Sequence, residues 1–184
     1  MKQNKTLVLI AALIVLLAAL SRVVFYSKEF YFSAAVAMAL FSGSVIKDKK
    51  LAFLLPLFSM FLADFLFEVS GIADGFWGWG QLVGYGIFAL ITILGFYLKK
   101  INVLNVAGFS IASSLLFFFL SNSSVWVLDS GLYYPKTWEG YTTCLAAGIP
   151  FLKTSLIADL VYSAIFFGGF VLLEKYTANQ KSVA

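Results

Sequence analysis

The 184-residue chain has no histidine, one cysteine and three prolines, and only 12% of its residues carry charge. Each shortage excludes something. Without histidine there is no imidazole to ligate a metal and no histidine-dependent acid–base or nucleophile scheme. A lone Cys144 permits no internal disulfide. Charge this sparse cannot cover the surface of a soluble domain of this length. The net charge of +4 is carried by lysines set between apolar runs, where they orient a membrane protein rather than bind nucleic acid. What the chain does have is apolar side chains, 61% of residues hydrophobic and 18% aromatic. The runs are continuous rather than alternating, which implies helices and not a barrel.

The predicted fold is an all-α integral membrane protein, a six-transmembrane-helix bundle forming a single domain over residues 1–184. Runs near the roughly 20 residues needed to cross a bilayer place the spans at about 7–25, 30–46, 51–69, 81–98, 104–120 and 150–173. The first run also has the basic start and small-residue end of a signal peptide, but is read as a retained span. Nine cationic residues, among them Lys47, Lys49, Lys50, Lys99 and Lys100, fall on the side holding both termini. Arg22, Lys28, Lys136 and Lys153 fall on the other. The positive-inside rule then makes both termini cytoplasmic. Trp77, Trp79, Trp126 and Trp138 all land on the outer side, as an interfacial belt or as walls of an outward-facing pocket.

Small residues recur every four positions at Ala35, Ala39 and Gly43, and again at Gly80 and Gly84, while serines stripe the fifth span at Ser110, Ser113, Ser114 and Ser121. Such stripes let helices approach closely. Pro56 predicts a kink in the third span, and Pro135 and Pro150 predict turns.

Charges inside a bilayer are expensive and are therefore candidates for function. Asp64 and Glu68 share a face of the third span, with Asp64 roughly 9 Å below its outer end, and Asp159 lies roughly 13 Å below an expected start of the sixth span at Pro150. Arg22 and Lys153 sit near the same boundary, so a charge network of Arg22, Glu68 and Lys153 around the aspartates is one expectation. A ligand site is the other. It would be built from Asp64, Asn122, Trp126, Tyr134 and Asp159, with the aromatic loop between Ser121 and Gly148 folded over it. Asn122 reads equally as a helix cap. No catalytic residue, metal site or cofactor is expected. The aspartates lack the flanking motifs of intramembrane aspartyl proteases, and proton coupling stays open.

The segments FSAAVAMALFSGS (32–44), LAFLLPLFSMFLAD (51–64), SNSSVW (121–126), YPKTWEGY (134–141) and AAGIPFLKTSLIADLVYSAIFFG (146–168) resemble a family of small, uncharacterised six-span bacterial membrane proteins. That family in turn resembles the S components of energy-coupling-factor (ECF) transporters. The resemblance implies a substrate-binding subunit in the bacterial inner membrane for uptake of a vitamin- or cofactor-precursor-like molecule. It also implies partnership with a transmembrane coupling subunit and an ATPase module, besides membrane lipids. S components carry an Ala-every-four docking motif on the first helix. Here it reads Ala11, Val15, Ala19, with Ala35, Ala39 and Gly43 on the second helix as a stand-in. The rival expectation is a non-transporting accessory or scaffold subunit of a larger inner-membrane complex.

Overall fold

A computed structural model describes residues 5–24, 33–76 and 78–183, apart from the side chains of 178–183. Lys2, Lys28, Trp77 and the ends of the first two expected spans that border on 25–32 lie outside the described residues. Six helices are present, α1 (Lys5–Val24), α2 (Ala35–Val45), α3 (Lys49–Ser70), α4 (Trp79–Gly95), α5 (Val103–Leu128) and α6 (Trp138–Val183), with no strand among the described residues. Four of them, α1, α3, α5 and α6, are long and apolar enough to cross a membrane, whereas α2 and α4 are shorter apolar helices.

Polarity is arranged inside out. Leu9, Leu13, Leu54, Phe58, Ile157 and Ile165 are exposed, while Ser42, Thr92, Ser110, Ser114, Asp64 and Asp159 are buried. In hydrocarbon the outer surface has to be apolar, and polar groups must find partners within the protein.

The short α2 is the hub of the packing. Every residue from Ala35 to Gly43 is buried, and α2 packs against all five other helices. Its Phe41 is ringed by Phe166, Phe167 and Phe170 of α6 at centroid distances of 5.2–5.9 Å. Against α4 the approach is closer still. A Cβ on Gly43 would overlap the Thr92 carbonyl, and one on Gly95 would overlap that of Leu40, so the two backbones touch through their glycines. The Ala35, Ala39 and Gly43 stripe is thus consumed inside the bundle. So is Ala11, Val15 and Ala19 of α1, each at most 1% exposed. Neither stripe is presented for docking.

Caps follow the sequence locally. The Asp48 carboxylate accepts the Lys50 and Leu51 amides and starts α3, Asn102 accepts the Asn105 amide and starts α5, and Gly71 closes α3 at φ 66°.

The largest departure from expectation is at α5 and α6. The first runs to Leu128 rather than residue 120. The second begins at Trp138, twelve residues before Pro150, so that proline lies within the helix and makes no turn. The polar stretches that read as loop satisfy themselves on their own helix. Ser121 and Ser124 donate to the Phe118 and Ser121 carbonyls, and Thr142 and Thr143 donate to that of Glu139. The expected loop of 121–148 contracts to 129–137.

Candidate functional site

Two aspartates from different helices face one internal cavity of about 310 Å³. Its first wall is built from α1, α3 and α4. Asp64 is buried on α3, and Arg22 at the end of α1 reaches it at 3.3 Å. The other carboxylate oxygen accepts the Gln81 amide at 2.8 Å and the Tyr85 hydroxyl at 2.6 Å. Gln81 and Tyr85 are one turn apart on α4 and so present a common face. Gln81 also donates to the Gly75 carbonyl at 2.9 Å, which ties the connection after α3 to the same cluster. Arg22 completes its contacts with Met60 sulfur at 3.2 Å and the face of Phe67 at 5.8 Å.

The second wall comes from α2, α5 and α6. Asp159 is 1% exposed. Its Oδ2 accepts the Ser114 hydroxyl of α5 at 2.6 Å. Deeper along α6, Ser163 donates to Ser110 of α5 at 3.3 Å. Between the walls the lining is apolar and aromatic, with Val36, Met60, Phe88, Phe117 and Phe151, and with Ser33 and Ser155 as further polar points.

Of the residues singled out from the sequence, Arg22, Asp64 and Asp159 line this cavity, and Asn122, Trp126 and Tyr134 are not among its described lining. The expectation of a loop folded over the cavity fails for a physical reason: with α5 and α6 extended, the loop sits at their far ends and packs on its own stem. The Trp126 indole donates to the Pro135 carbonyl at 3.0 Å, its ring meets Tyr141 at 5.3 Å, and the Lys136 ammonium sits 5.2 Å from the Trp126 ring and bonds the Trp126 carbonyl. Trp126 lines a separate outer cleft with Lys136, Trp138 and Tyr141. Asn122 does not cap a helix either. It lies inside α5, donates to the Phe118 carbonyl at 2.8 Å and packs against Gly148 of α6.

The charge network also differs from expectation. Lys153 is exposed and reaches neither aspartate, because six residues turn it about 120° around α6 from Asp159. Glu68 is exposed and accepts the Gly75 amide at 3.1 Å instead of joining Arg22. Sequence reasoning missed Gln81 and Tyr85, whose spacing on one helical face was the available signal. It also missed Asp129, which organises the loop by accepting the amides of Gly131, Tyr133 and Tyr134 at 3.0–3.3 Å. Those amides, Tyr134's foremost, hold its carboxyl below its ordinary value.

Four long apolar helices around a mostly apolar cavity that holds a few polar side chains give a helical protein of membrane character. More particularly, the chain belongs to a family described as "Family of unknown function (DUF6580)", which matches residues 1–181. No curated protein and no solved structure matches it. No group of histidine, cysteine, aspartate and glutamate among the described residues could hold a metal ion.

Proposed function

We propose that the chain is a substrate-binding membrane subunit for small-molecule uptake, similar to an ECF S component. It would sit in a bacterial inner membrane with six helices crossing or entering the bilayer and both termini cytoplasmic. The observation that carries this reading is the cavity itself. It joins apolar walls to a few convergent polar groups, Arg22, Asp64, Gln81, Tyr85 and Asp159, as small-molecule sites do. Its volume stands at the low end for such sites, which suits a small ligand. The buried small-residue stripes remove the docking surface that the resemblance would use, so a coupling subunit would have to engage another face.

Native mass spectrometry of the protein purified from its source membranes tests the reading. A retained small molecule that is lost on filling the cavity with Gly84→Leu supports it. Gly84 lines the cavity, and a side chain there enters open space. Protein that is empty but carries stoichiometric partner subunits supports the rival reading of an accessory or scaffold subunit. That rival draws on the Asp64 cluster, which is complete within the chain and needs no ligand. Orientation is tested separately with single cysteines at Ser130 and Ser182 in a Cys144→Ser background. An impermeant reagent should label the first in intact cells and not the second.

A further inference from the structure

Resting on the reading of the cavity as a binding site, we propose the class of its ligand: a small organic cation, an ammonium or amidinium with an apolar or aromatic body, whose positive group meets Asp159. The argument begins with charge. Among the described residues, the formally charged side chains that line the cavity are Arg22, Asp64 and Asp159. Arg22 is committed to Asp64 at 3.3 Å, and the second oxygen of Asp64 is taken by Gln81 and Tyr85. That wall is satisfied without any guest.

Asp159 is placed differently. Its hydrogen-bond partner, the Ser114 hydroxyl, is neutral, and no cation among the described residues pairs with it. Lys153 is on the same helix but exposed on another face. Among the described residues the lining has one guanidinium and two carboxylates, so an ionised Asp159 leaves one formal negative charge against largely apolar side chains. A charge so placed is stabilised by a partner of opposite sign that also hydrogen-bonds.

The rest of the lining fits the same guest. Tyr85, Phe88, Phe117 and Phe151 come from three helices and line the space. Aromatic faces attract cations and bury an apolar body. An anionic guest would instead have to displace Asp64 from Arg22 and lie beside an unneutralised Asp159.

Three probes with one ring and different charge test the class: benzylammonium, benzyl alcohol and benzoate, each titrated by calorimetry into the full chain in detergent at pH 7. Benzylammonium is expected to bind about tenfold or more tighter than benzyl alcohol, the discrimination that one charged hydrogen bond provides. Benzoate is expected to bind weakest. Asp159→Asn keeps the shape and the acceptor for Ser114, and should remove the preference for the cation over benzyl alcohol. Should that variant not fold, the wild-type order of the three probes decides. Benzoate binding as well as benzylammonium, or a preference that survives Asp159→Asn, overturns the cation class and leaves the binding reading standing. Failure of all three probes to bind, or binding that Gly84→Leu does not reduce, overturns both.

Discussion

The two walls of the cavity use the same residue in opposite ways. Asp64 and Asp159 are both aspartates, both buried and both on long apolar helices. Asp64 is held by a guanidinium, an amide and a phenol from two other helices. Asp159 is held by the Ser114 hydroxyl. The first arrangement is a structural clasp between α1, α3 and α4, and its electrostatics close on themselves. The second is open on the charge side. Burial and residue type do not tell the two aspartates apart, whereas the charge of their partners does.

This contrast can be broken by substitution. The largest effect is expected at Asp64. Asp64→Leu leaves Arg22 without its counter-ion and removes an acceptor from Gln81 and Tyr85, at a cost of roughly 3–5 kcal/mol in chemical denaturation in detergent. The double variant Arg22→Met with Asp64→Leu should recover much of that loss, since removing a whole buried pair is far milder than removing half. Simple additivity of the two single changes would show that the clasp is not a unit.

Asp159→Ala should cost less, roughly 1–3 kcal/mol, because it removes an acceptor from a neutral donor and leaves no charge unpaired. A loss as large as that at Asp64 would erase the distinction between the walls. Smaller again is Asp48→Ala, which removes an exposed N-cap of α3 and should cost about 1 kcal/mol by the same denaturation measurement.

The smallest global effect belongs to Asp129, which orders only the 129–137 loop. Its carboxyl is depressed in the folded state from an ordinary value of 3.8, so its contribution is present above that value and is lost as pH falls through the folded value below it. Trp126 emission should therefore change below about pH 3.8 with the helices intact by circular dichroism. In Asp129→Ala the altered emission should already be present at pH 7.

Much of this was legible in the sequence, and what was not has identifiable causes. Continuous apolar runs located all six helices, since an apolar helix shows directly in hydropathy. Rare charges inside those runs marked Arg22, Asp64 and Asp159 for the same reason. Neutral partners carry no such signature: Gln81 and Tyr85 stand near the start of α4, where polar residues are expected anyway. The ends of α5 and α6 were misplaced because serine and threonine read as loop. Here they return their hydroxyls to carbonyls three or four residues back, and the helix continues. Asn122, Trp126 and Tyr134 went with them, since the expected loop that was to carry them to the cavity was mostly helix.

The glycine contact between α2 and α4 has a mechanical consequence. Side chains can slide and change rotamer, but two backbones in direct contact have nothing between them to rearrange. Gly43 and Gly95 thus rivet α2 to α4, and the pair shifts as one body. Any breathing of the cavity has to be carried by the helices that meet it through side chains, α1 with its Arg22 contact to Asp64 among them.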